Sequence, residues 1–148
     1  MDKPLILILC TGNSCRSHMA HGVLENALGD IAQIRSAGTR PAGYVHPKAI
    51  EVMREVGIDI SDHQSRNLSE YLHSGARTVI TVCGGANEDC PVFPGKVRRL
   101  HIGFDDPAKA AGSEDEVLGE FRRVRDEIRT VFGAFADGYR QGREDACI

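Results

Sequence analysis

The chain has 148 residues, 41% of them hydrophobic and 26% charged, with a formal net charge of -3. Such a chain reads as one soluble globular domain spanning 1–148, without the basic footprint of a nucleic-acid binder and without an apolar run near the roughly 18 residues that a bilayer span requires. Five cysteines, an odd number, and no export signal point to reduced thiols in a cytoplasmic protein, not to a secreted disulfide scaffold.

The first predicted element is the continuous apolar run Leu5-Ile6-Leu7-Ile8-Leu9, which suits a central parallel strand buried on both faces. A helix follows from Ser17, with Ala20, Val23, Leu24, Ala27 and Leu28 at helical spacing, and ends at Gly29-Asp30. Ile31 to Ala37 holds a short strand, and Gly38 to Gly43 is loop by composition. Pro47 opens a second helix with the stripe Ala49, Ile50, Met53 and Val56, stopped by Gly57. Leu68 to His73 reads as a short helix, and Thr78 to Val82, rich in β-branched residues, as a strand. Gly84 to Asp89 reads as polar and flexible, and Pro91 and Pro94 exclude regular structure beyond it. Val97 to Ile102 is the last strand. Ser113 and Glu116 form a capping box before a long helix whose apolar face is Val117, Phe121, Val124, Ile128, Val131, Phe132 and Phe135. The polar tail from Gly138 should fray. Arg98-Arg99 and Arg122-Arg123 read as solvated charge. Strands alternating with helices predict an α/β domain with a central, mainly parallel four-stranded sheet flanked by helices.

Between the first strand and the first helix lies Cys10-Thr11-Gly12-Asn13-Ser14-Cys15-Arg16-Ser17. A strand-to-helix loop points backbone N–H groups one way, with the positive helix end behind them. Gly12 lets the backbone approach an oxygen closely, and the planar fork of Arg16 can clamp two anion oxygens. The same field should lower the pKa of the Cys10 thiol, with the Ser17 hydroxyl donating to its sulfur. Thr11 to Ser17 are thus the expected oxyanion-binding residues. Cys15 is expected to pack behind the loop. Asn13 either holds the loop by hydrogen bonds or adopts a left-handed backbone.

Cys83 follows the second strong strand and so shares the carboxyl edge of the sheet with Cys10. Six residues separate it from Cys90. If they were helical, the two Cα atoms would stand roughly 10 Å apart, beyond the reach of about 7 Å that a disulfide allows. A Cys83–Cys90 bond therefore requires unwinding, which Gly84, Gly85 and the prolines make easy. The competing readings are two unrelated cysteines or a zinc site, whose usual ligand spacing is absent. Asp106, in Asp106-Pro107 after the last strand, could protonate a leaving oxygen; its neighbour Asp105 suits a turn or cap.

The Cys10 loop resembles the phosphate-binding loop of low-molecular-weight protein tyrosine phosphatases and of their relatives, the thioredoxin-coupled arsenate reductases. The resemblance covers nearly the whole chain and implies a flavodoxin-like sheet. Cys83 and Cys90 resemble the redox pair of the reductases. The resemblance implies that Cys10 attacks arsenate held by the loop and Arg16, that Asp106 protonates the departing oxygen, and that a Cys10, Cys83, Cys90 relay hands the oxidation to thioredoxin, or to glutaredoxin with glutathione. The phosphatases tend to carry aromatic residues after Asp-Pro; here Ala108-Lys109-Ala110 follows, and the chain has no Trp, which favours a small inorganic anion. The alternatives are a phosphatase acting on phosphomonoesters and a non-enzymatic oxyanion or redox sensor. Some of the reductases bind potassium beside the loop; at the matching places stand His21 and Arg66, with Asn13 kept. No potassium ion is therefore expected, and Arg66 is expected to steady the loop in the ion's place; no other metal, cofactor, nucleic acid or membrane is expected either. The six histidines show no ligand constellation, and His18 and His21 read as surface residues.

Overall fold

The apolar run at the N-terminus becomes β1 (Leu5–Cys10), buried at every position, because both of its faces are covered. The computed structural model of the protein describes residues 3–142; Cys147 and most of the predicted tail lie outside them. The other strands are β2 (Gln33–Gly38), β3 (Thr78–Thr81) and β4 (Arg98–His101). All pair in parallel, in the order β2-β1-β3-β4. The expected four-stranded parallel sheet flanked by helices is the observed one. The edge strand β4 is only partly buried, alternating along its length.

Helix α1 (Arg16–Leu28) lies on β1 and β2, and α2 (Pro47–Glu55) and α4 (Glu114–Arg140) pack with it. Gly22 permits the close approach, since a methyl there would stand 2.9 Å from the side chains of both Ile58 and Ile60. The predicted capping box starts α4: Ser113 Oγ accepts from Glu116 N, and the Glu116 carboxylate accepts from Ser113 N. Phe121 and Phe132 are fully buried, each adding about 1.5–3 kcal/mol of apolar burial.

Three expectations about this framework need correction. Val131 is exposed, and the buried stripe of α4 instead includes Arg125 and Ala136. Arg125 can sit there because its guanidinium donates to Val52 O at 2.9 Å and to Glu55 Oε1 at 2.7 Å, tying α4 to α2. The helix also continues through Gly138 to Arg140, held by Arg140 Nη2 on Ala27 O at 2.8 Å and by its pairing with Asp30. Arg98 is not solvated: its guanidinium nitrogens are buried with no hydrogen-bond partner among the described residues. By contrast, Arg122 and Arg123 pair with surface carboxylates. Among the described residues, no helix is long and apolar enough to cross a membrane.

Candidate active site

Because β1 and β3 are parallel neighbours in register, their carboxyl ends deliver Cys10 and Cys83 to one place. Leu9 faces Thr81, and Val82 N donates to Leu9 O. Both cysteines are buried, at 3% and 5% exposure.

The loop between β1 and α1 is shaped by its carbonyls. Cys10, Thr11, Gly12 and Ser14 carbonyls accept from the backbone N–H groups of Thr39, Arg40, Ala42 and His46, and His18 Nε2 donates to Asn13 O at 2.9 Å. In a trans peptide the following N–H points opposite to the carbonyl, and among the described residues there is no cis peptide. The amides of Thr11 to Cys15 are therefore turned to the inside of the loop, as an anion cradle requires.

Asn13 does both things open to it. Its φ is +45°, the left-handed region that few residues other than glycine adopt. Its buried side chain donates to Ser17 Oγ at 2.8 Å and accepts from Arg66 N at 2.8 Å. The Ser17 hydroxyl thus engages Asn13, not the Cys10 sulfur expected. Gly38 completes the fit: a methyl there would stand 2.6 Å from Thr11 O and 2.9 Å from Asn13 Cβ. Gly38→Ala should destabilise the fold by about 1–3 kcal/mol through overpacking and weaken phosphate binding, as checked by urea unfolding with and without phosphate.

Arg16 opens α1. Its Nη1 donates to Phe104 O at 3.1 Å, and its Nη2 lies 3.5 Å from Asp106 Oδ2. Its Nε is buried without a hydrogen-bond partner among the described residues, a donor left for something the protein does not itself supply. Asp106 caps the short 3₁₀ turn Pro107–Lys109 through Ala108 N at 3.0 Å and lies 3.9 Å from Cys15 Sγ. Burial, and then Asp106, push the Cys15 thiol up; it packs behind the loop. The two aspartates separate clearly: Asp105 is turned to Arg123 at 3.1 Å on the surface.

Cys83 enters the loop itself. Its sulfur accepts from Thr11 N at 3.2 Å and lies 3.1 Å from Thr11 Oγ1. Gly85 allows this approach, since a methyl there would stand 2.8 Å from Thr11 Oγ1. The hydrogen bond between Cys10 and Cys83 holds the Cys10 thiol well above its ordinary range; burial adds to this, and Arg16 opposes it. The same bond, working against burial and helped by Thr11, pulls Cys83 down to about 4. The loop was expected to favour the thiolate on Cys10. Arg16 does act in that direction, but the neighbouring sulfur opposes it, and the two thiols share one negative charge across their contact. One thiolate per molecule should therefore persist far below the usual thiol range and titrate away, as pH falls, with a midpoint near 4. Far-ultraviolet thiolate absorbance reads this directly. Cys10→Ala, which removes the donor, should raise the midpoint.

Cys90 lies at the far end of α3 (Gly84–Asp89), a regular helix where a flexible stretch was expected. The prolines sit beyond its last turn and do not interrupt it. Cys90 is buried, at 9% exposure, with its sulfur 3.5 Å from Pro91 O. With α3 formed, the two thiols stand at opposite ends of a helix, so they can join only after it unwinds.

The histidines depart most from expectation. His18 and His21 are buried, at 1% and 9% exposure, and His63 joins them. No spacing rule links 63 to 18 and 21; only the i, i+3 pair on α1 was visible. Burial lowers all three, His18 to about 4, so the rings are neutral at ordinary pH. The surroundings do not fit a potassium ion, which takes oxygen ligands. Asn13 Oδ1 is taken by Arg66 N, position 21 is an imidazole, and Ser36 Oγ lies 3.0 Å from His21 Nδ1. Arg66 supports the loop through its backbone alone; its guanidinium turns outward to Glu70 and Gln64.

The family model for low molecular weight phosphotyrosine protein phosphatase matches residues 5–144. An arsenate reductase of Halalkalibacterium halodurans is 47% identical over 137 residues, 93% of this chain and 98% of the relative. An arsenate reductase of Bacillus subtilis is 46% identical over 137 residues, with the same coverage. Among solved structures, an arsenate reductase in the phosphate binding state aligns with a TM-score of 0.73 at 27% identity, covering 90% of this chain and 97% of its own.

Proposed function

The chain belongs to the low molecular weight phosphotyrosine protein phosphatase family, and within that family we propose that it is an arsenate reductase working by three sulfur steps. The loop binds a tetrahedral oxyanion through its inward amides and Arg16. Cys10 attacks arsenic, passing its proton into the bond with Cys83. Asp106 gives a proton to the departing hydroxyl, which leaves as water. Cys83, deprotonated again, attacks the Cys10 sulfur. The Cys83 proton passes to an oxygen on arsenic; the sulfur–arsenic bond breaks with its electron pair going to arsenic, so As(V) leaves as As(III), arsenite, and a Cys10–Cys83 disulfide forms. Cys90 then attacks Cys83, expels the Cys10 thiolate and forms Cys83–Cys90 in an unwound α3. A thiol reductant, thioredoxin as the resemblance to the thioredoxin-coupled reductases implies, restores the two thiols.

The observation that carries this reading is the Cys83 sulfur, which accepts from Thr11 N at 3.2 Å inside the loop, at the sheet edge where β1 delivers Cys10. Hydrolysis of a phosphomonoester does not require a second thiol within reach of its nucleophile. The test supplies arsenate with thioredoxin, thioredoxin reductase and NADPH, and follows NADPH loss and arsenite formation. Steady turnover with thioredoxin, exceeding that with glutathione and glutaredoxin, is expected. Hydrolysis of phosphomonoesters with no arsenate-dependent NADPH loss under either donor would overturn the reading in favour of a phosphatase. A single stoichiometric oxidation without turnover would point to a sensor.

A further inference from the structure

We infer that His18, His21 and His63 form a binding site for a divalent first-row transition metal ion of the zinc type, behind the oxyanion loop and separate from its thiols. The three imidazoles come from two distant parts of the chain, α1 and the segment after α2, and each offers a ring nitrogen within 4.8 Å of the others. His18 Nδ1 and His63 Nδ1 are 3.1 Å apart. Two nitrogens bound to one tetrahedral zinc at about 2.0–2.1 Å stand about 3.3 Å apart, so the pair needs almost no movement. His21 Nδ1 lies 3.0 Å from Ser36 Oγ, and that hydroxyl lies 3.4 Å from His18 Nδ1. The Nδ1 atoms of His18 and His21 thus share one hydroxyl, and that of His63 meets His18.

The opposite ring nitrogens are turned toward acceptors, the arrangement that fixes tautomer and ring orientation in metal-binding histidines. His18 Nε2 donates to Asn13 O at 2.9 Å. The Nε2 atoms of His21 and His63 lie 3.5 and 4.0 Å from Glu25 Oε2. A cavity of about 320 Å³ beside the rings is lined by the three histidines with Glu25, Ser36 and Asp62, and by Arg35 and Arg66. An ion therefore has a path in, and water can complete its coordination. Borderline divalent ions prefer neutral imidazole to the oxygen sets that hold magnesium or calcium. Bound metal would also immobilise His18, and through it the Asn13 carbonyl at the turn of the loop.

The test adds Zn²⁺ alone to the reduced wild-type protein and records long-range proton–nitrogen spectra of the imidazoles. One equivalent should shift the Nδ1 signals of His18, His21 and His63 and leave those of His46, His73 and His101 in place. Because thiols also take zinc, Co²⁺ serves as a second probe: imidazole ligation lacks the intense charge-transfer band of cobalt thiolate. In His63→Gln, at the open side of the cluster, calorimetry should show the histidine-linked zinc affinity reduced at least tenfold. Histidine signals that stay put at zinc saturation, or a spectrum of thiolate ligation alone, would overturn the site. Undiminished affinity in a folded His63→Gln protein would do the same.

Discussion

Cys83→Ser should lose arsenate turnover with thioredoxin by about 10⁴-fold or more, the scale on which loss of a covalent participant is felt. Serine keeps the size of the side chain and can still accept from Thr11 N, where the sulfur now sits at 3.2 Å. It cannot attack a sulfur–arsenic adduct at neutral pH, since its hydroxyl is not ionised and an oxygen–sulfur bond is no substitute for a disulfide. The first step should survive. Hydrolysis of a phosphomonoester, which needs only Cys10, the loop and Asp106, should stay within a few-fold of wild type or rise. This split between two activities of one loop is the decisive outcome. Turnover of arsenate unchanged by the substitution would remove Cys83 from the reaction, and equal loss of both activities would mark it as a structural residue.

Arg16→Lys should lower kcat/KM for arsenate by about 10²–10³-fold, the usual effect of deleting a donor aimed at a developing oxyanion. Lysine preserves the charge but not the fork. It would lose the donor at Nε that is buried with no partner among the described residues, together with the Nη1 bond to Phe104 O at 3.1 Å. That second bond anchors the segment carrying Asp106, so both phosphate affinity and the rate of the first step should fall. Phosphate binding by calorimetry separates the two: loss of rate with full affinity would assign Arg16 to positioning the acid alone.

The parts of this molecule legible in the sequence are those written in local pattern. An unbroken apolar run could only be a strand buried on both faces, and Ser113 with Glu116 announced α4 by its own hydrogen bonds. The strand–loop–helix order was enough to place Cys10 and Cys83 at one sheet edge. What stayed hidden depends on long-range packing. Arg125 reads as polar, yet its stem belongs to the core because Val52 O and Glu55 receive its head. Gly84-Gly85 opens a helix, and Gly85 is glycine where the chain passes close to Thr11. His63 meets His18 and His21 only after the chain has folded. The coupling of the Cys10 and Cys83 thiols depends on how their side chains meet at the ends of two strands, to which residue type gives no clue.

The contact between Thr11 N–H and the Cys83 sulfur has a further consequence for how this protein meets its substrate. The loop carries its own competitor, a tethered sulfur resting on one of the donors that an incoming oxyanion needs. Measured affinity for arsenate or phosphate is then a difference: the oxyanion's bonds less the sulfur's. A modest grip on tetrahedral anions follows, with phosphate and arsenate discounted alike. In exchange, the amides stay organised while the site is vacant, and the second nucleophile has arrived before the first has reacted.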